Sequence, residues 1–102
     1  MTYRLIPQAQ DDFEQIYIYL HSENAAAADR LATALIRSYK FLAEWPNAGH
    51  LRSDLPDTRF RFWPVSNYIV LYAPDTTPLS IVAILHGAQN ISQILNDRFL
   101  TE

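Results

Sequence analysis

The chain has 102 residues, eight Lys or Arg against eleven Asp or Glu, a net charge of −3 and no cysteine. That length predicts one domain, spanning residues 1–102, with a modest core. Half-apolar composition excludes a disordered chain, the lack of cysteine excludes disulfides and thiolate chemistry, and the acidic balance argues against an obligate nucleic-acid binder.

Thr2 to Ile6 alternates in character and predicts a short strand. Pro7 suits the first turn of a helix, where a missing N–H costs nothing. From Gln8 to Ser22 the apolar residues Ala9, Phe13, Ile16 and Leu20 recur at helical spacing. Asp11, Asp12 and Glu14 lie near its N-terminus, where the dipole favours acids. Adjacent Asp11 and Asp12 point to different parts of the helix surface, so they make a poor acid–base pair. Ser22 and Asn24 are candidate N-caps for a second helix over Ala25 to Trp45, and the short break predicts an antiparallel helical hairpin. Trp45-Pro46 ends it. Trp45 reads as a core anchor or an exposed contact residue, the core being favoured.

Pro46 to Thr58 is the longest loop and carries His50 and Arg52. Three strand-like runs follow: Arg59 to Trp63, Tyr68 to Tyr72 and Leu79 to His86. Alternation in the first puts Phe60 and Phe62 on one face and Arg59, Arg61 and Trp63 on the other. The third is apolar on both faces, which predicts a central strand. Ile91 to Leu95 is a short amphipathic turn or helix, and Asp97 to Glu102 reads as a fraying end.

Residues 1–46 carry four basic and six acidic side chains, whereas residues 58–73 carry two arginines and no acid. The positive charge is therefore local, and any anionic or acidic partner would be expected at the sheet. No glycine-rich phosphate loop, nucleophile elbow or converging set of metal ligands occurs, so no cofactor and no metal are expected. No apolar run is long enough to span a bilayer, and Met1 to Gln10 shows no signal-peptide pattern. The side chains left to carry function are Arg52, Arg59, Arg61, Tyr68 and His86. Whether they converge depends on strand order. Together they could hold RNA, with His86 moving a proton, or an acidic protein segment. Equally, the arginines could merely solvate a sheet face.

The order of these pieces resembles the RelE/ParE superfamily of toxins from bacterial type II toxin–antitoxin systems, and the ParE branch in particular. The resemblance rests on DDFEQIYIYL, FLAEWPNAG, LRSDLPD, RFRFWPV, NYIVLYAP and, most tellingly, ILHGAQNISQIL. It implies an α+β fold: an N-terminal strand, a helical hairpin packed on a mainly antiparallel sheet of about four strands, and a short C-terminal helix. It also implies a cytoplasmic toxin that binds DNA gyrase without chemistry of its own and stops growth. A ParD-like antitoxin would neutralise it, and no membrane or sequence-specific DNA contact is implied for the chain alone.

RelE-type relatives instead cut messenger RNA on the ribosome. On that alternative His86 is the acid or base and Arg59 and Arg61 hold phosphate. The apolar middle strand, Ile69 to Leu71, and the single lysine, Lys40, depart from the cationic surface of those nucleases and favour the gyrase-type reading. A third alternative is an inactive relative that only binds its antitoxin. Arg52, Arg59, Arg61, Tyr68, His86 and Gln89 are the candidate target- or antitoxin-binding residues, and of these the resemblance carries over Arg59, Arg61 and His86. Many relatives carry an arginine where this chain has Gln89.

Overall fold

The computed structural model describes residues 2–51, 59–87, 91–95 and 97–98. Strand β1 (Tyr3–Leu5) leads directly into helix α1 (Pro7–Glu23), with Pro7 in the first turn. Asn24 alone separates α1 from helix α2 (Ala25–Glu44). Its Oδ1 accepts from the Ala27 N–H at 3.0 Å, and its own N–H donates to the Leu20 carbonyl at 2.7 Å. One residue thus closes one helix and caps the next, which forces the pair to fold back antiparallel. Tyr17 of α1 ties the hairpin from outside, donating to Asp29 Oδ1 at 2.6 Å.

A 3₁₀ turn (Pro46–Ala48) follows α2. Strands β2 (Arg61–Val65), β3 (Tyr68–Ala73) and β4 (Leu79–His86) complete the sheet, and helix α3 (Ile91–Leu95) follows. Sheet order is β1-β4-β3-β2, with β1 parallel to β4 and the other pairs antiparallel. The α+β architecture expected from the sequence is therefore present, and doubly apolar β4 is an interior strand. The α1–α2 hairpin packs on one face through Ala9, Leu35, Tyr39, Leu42 and Ala43. Ile91 and Ile94 of α3 pack on the other, against Phe60, Phe62, Leu71 and Val82.

β2 begins two residues later than its sequence pattern suggested and runs through Pro64. It can do so because β2 is an edge strand. Val65 pairs with Tyr68 and Trp63 with Val70, so Pro64 lies on the side where no ladder N–H is required. At Phe62, His50 closes that same edge with two backbone hydrogen bonds of 2.8 and 2.9 Å. A bridge and a proline together blunt this edge against further strand pairing.

β4 carries a bulge. Tyr72 pairs with Ile81 but Leu71 with Ala83, leaving Val82 as the extra residue. Alternation is reset there, so Ile81 and Ile84 both face the helices while Val82, Ala83 and Leu85 join the opposite cluster.

Candidate functional site

The structure divides the expected constellation in two. Tyr68 and His86 are cross-strand partners at one end of the β3–β4 pair. Their rings meet edge-on with centroids 5.5 Å apart. Tyr68 is half-buried, and His86 is exposed beside the Ser66-Asn67 turn, where Gly87 N–H donates to the Asn67 carbonyl at 3.2 Å. Tyr68 also lines a depression of about 330 Å³ between this turn and the helices, with Arg30 and Leu31 on its far wall.

Arg61 lies at the other end, opposite Tyr72. Tyr72 lies four residue steps along β3 from Tyr68, or about 13 Å at about 3.3 Å per residue. Arg52 and Gln89 fall outside the described residues.

Arg59 and Arg61 do not share a face, contrary to the alternation read from the sequence. Arg61 is the first residue of β2 and follows Trp63 and Val65 on the side of the helical hairpin. Its Nη1 donates to the Gly49 carbonyl at 2.8 Å. Arg59 precedes the strand and lies beside Phe60 and Val82 on the opposite side, its guanidinium carbon 5.5 Å from the Phe60 ring centre. Because the strand starts only at Arg61, strict alternation does not extend back to Arg59.

Arg61 belongs to a structural knot. Tyr72 Oη donates to the Pro46 carbonyl at 2.6 Å and accepts from the Gly49 N–H at 2.8 Å. Burial pushes the Tyr72 hydroxyl pKa up; the Gly49 hydrogen bond and the Arg61 charge act in the other direction. Gly49 is required by close approach. A β-carbon there would collide with the Tyr72 hydroxyl and stand 2.7 Å from Tyr72 Cε1.

Two features escaped sequence reasoning. The first is an ion pair between Asp12 of α1 and Arg98. Both nitrogens of the Arg98 fork reach the carboxylate at 2.9 Å. Asp12 Oδ2 also accepts from the Ile84 N–H at 3.0 Å, and Arg98 Nη1 donates to the Val82 carbonyl at 2.9 Å. β1 pairs with β4 only as far as Ile81, so two charged side chains serve β4 backbone groups that lie beyond its strand neighbour. Asp12 early in α1 and the arginine near the C-terminus are visible in the sequence, but nothing local links residues 86 positions apart.

The second is Trp45. It is 61% exposed and Phe41 is 43% exposed, so the favoured core reading of Trp45 does not hold. The Pro46 stop turns the chain away before Trp45 can fold inward. With Phe41, Pro46 and Ala48 it borders a shallow apolar depression. Trp63 packs against Phe41 at 5.3 Å, and His50 stacks on Trp63 at 6.1 Å. The result is an aromatic end; Leu51, which follows His50 in the chain, is also exposed.

A family model described as the ParE toxin of the type II toxin–antitoxin system parDE matches residues 3–91. The chain therefore belongs to the ParE toxin family. Among ten solved chains that match, one from the chromosomal ParDE toxin–antitoxin system of P. aeruginosa shares the fold with a TM-score of 0.68. It is 18% identical, and the match covers 84% of this chain and 95% of that one. No curated protein sequence matches the chain. Among the described residues no helix is long and apolar enough to cross a membrane.

Proposed function

We propose that this chain is a cytoplasmic growth-arrest toxin, a single toxin domain over residues 1–102, that binds DNA gyrase and is neutralised by a cognate ParD-type antitoxin. The observation that carries this reading is membership of the ParE toxin family across residues 3–91. The solved relative comes from a ParDE system, which supports an antitoxin of the ParD type.

The geometry favours action by binding over RNA cleavage. A nuclease needs its proton-transfer group and its phosphate-holding cations within reach of one phosphodiester. Here His86 stands at one end of the sheet, and Arg61 stands at the other, bonded to a backbone carbonyl. Exposed Trp45, Phe41 and Leu51 offer apolar contact area of the kind that anchors protein interfaces. Arg52, Arg59, Tyr68, His86 and Gln89 remain the proposed polar contacts of this binding mode.

The test is controlled expression in bacteria, with DNA and protein synthesis followed separately by labelled precursors. DNA synthesis should stop first and recover on co-expression of the antitoxin. Immediate loss of protein synthesis with cut messenger RNA would overturn the reading in favour of a ribosome-dependent nuclease.

A further inference from the structure

The two edges of the sheet are built differently. The β2 edge is blunted by Pro64 and by the His50 bridge to Phe62. The other edge is β1, and its register fixes which backbone groups it leaves open. Leu79 N–H donates to the Thr2 carbonyl at 3.1 Å, and Ile6 N–H donates to the Ile81 carbonyl at 3.0 Å. In a parallel pair alternate residues bond to the same neighbour. Thr2, Arg4 and Ile6 therefore turn their backbone groups to β4, and Tyr3 and Leu5 turn theirs outward. Among the described residues no hydrogen bond meets these outward groups. Two N–H and two C=O groups thus form an open sheet edge.

On the hairpin side β1 borders a basin of about 280 Å³. Leu5, Phe13 and Ile36 give it apolar walls, and the rings of Tyr3 and Tyr39 meet beside them at 5.2 Å. Ile36 is 39% exposed, so the basin opens to solvent. β1 has only three residues, and backbone pairing over so short an edge gains selectivity from a side-chain pocket alongside it. Arg4, between Tyr3 and Leu5, points to the other face. It is exposed and makes no ion pair among the described residues. A second copy of this chain, paired two-fold through β1, would set Arg4 opposite Arg4, and like charges directly opposite are destabilising. The complement of this edge is a strand with an acidic residue at that position and apolar residues on either side of it.

We infer that an extended stretch of the antitoxin adds to β1 as a fifth strand, bonding to the outward backbone groups of Tyr3 and Leu5. Its alternate apolar side chains enter the Leu5–Phe13–Ile36 basin, and the acidic side chain between them lies opposite Arg4. The inference rests on the proposed toxin–antitoxin reading and adds the docking edge and the sequence pattern that fits it.

The test is amide hydrogen exchange of the full chain, alone and bound to the ParD-type antitoxin encoded beside it, with affinities from calorimetric titration. The Tyr3 and Leu5 amides should exchange fast in the free chain and slow by at least about tenfold in the complex. Ile36→Lys, at a partly exposed position, should weaken antitoxin binding at least about tenfold, as expected for the loss of one apolar contact. Arg4→Glu should weaken it as well, and Arg4→Lys should retain it. Thermal melts establish that each variant is folded. Wild-type chain that fails to bind the antitoxin would remove the proposed function itself. Tight binding that leaves the Tyr3 and Leu5 amides in fast exchange, or that Ile36→Lys does not alter, would remove only the edge site. Slow exchange of both amides in a free chain that sediments as a dimer would assign the edge to a second copy and overturn the inference. Gyrase inhibition lost in Ile36→Lys with antitoxin binding intact would overturn it in favour of the target.

Discussion

Replacing Arg98 by methionine keeps most of its apolar stem but removes the fork that holds Asp12. Three hydrogen bonds are lost: two of 2.9 Å to the carboxylate and one of 2.9 Å to the Val82 carbonyl. The side chains of the pair are 17% and 18% exposed. Exposed pairs contribute about 0–1 kcal/mol, whereas breaking a buried pair costs about 3–5 kcal/mol. A partly buried, bidentate pair lies between, so about 2 kcal/mol is expected for Arg98→Met. Asp12→Asn retains an oxygen for the Ile84 N–H and loses the charge, for about 1 kcal/mol. The two changes should not add, and a double-mutant cycle should return a coupling of about 1 kcal/mol. Urea unfolding reads this directly, with Arg98→Met lowering the midpoint by about 1–2 M. A loss under about 0.5 kcal/mol in Arg98→Met, or strict additivity, would refute the view that this pair secures the β4 bulge.

Gly49→Ala should cost about 2 kcal/mol in the same assay, because its β-carbon would enter the space of the Tyr72 ring; wild-type stability would show that the 3₁₀ turn relaxes freely. Tyr39→Phe should stabilise the fold by up to about 1 kcal/mol, since the Tyr39 hydroxyl is buried without a hydrogen-bond partner among the described residues; a clear loss of stability would point to a bonded hydroxyl. Stability should also fall as the pH rises above about 10. Burial first, then the nearness of Tyr3 and Asp12, raises the Tyr39 hydroxyl pKa, and burial raises that of Tyr72. Above the ordinary tyrosine pKa the unfolded chain releases protons that the native chain keeps, so alkali favours unfolding. Tyr39→Phe should reduce that alkaline slope, and an unchanged slope would contradict the assignment.

The strands and helices were legible because each carries its own period. Ala9, Phe13, Ile16 and Leu20 mark α1, and the doubly apolar run from Leu79 to His86 marks an interior strand. Pro64 misled the boundary of β2, since a proline tolerated on an edge looks locally like a strand end. The pairing of Tyr68 with His86 follows from hairpin register once the turns are set. The fate of Arg61 does not, because its partner, the Gly49 carbonyl, is fixed by the tertiary docking of the 3₁₀ turn on Tyr72. For the same reason the link from Asp12 to Arg98 could be seen only once α1 and the C-terminal segment lay together over β4. Trp45 was misjudged on composition: a large aromatic is usually covered, but the chain turns at Pro46 and leaves it exposed.

The most direct measurement is supercoiling of relaxed plasmid by purified DNA gyrase in the presence of the folded chain, with cleaved DNA scored alongside lost supercoiling. The account predicts inhibition that rises with toxin concentration and is relieved by prior addition of the antitoxin. Full gyrase activity at a large molar excess of folded chain would contradict it.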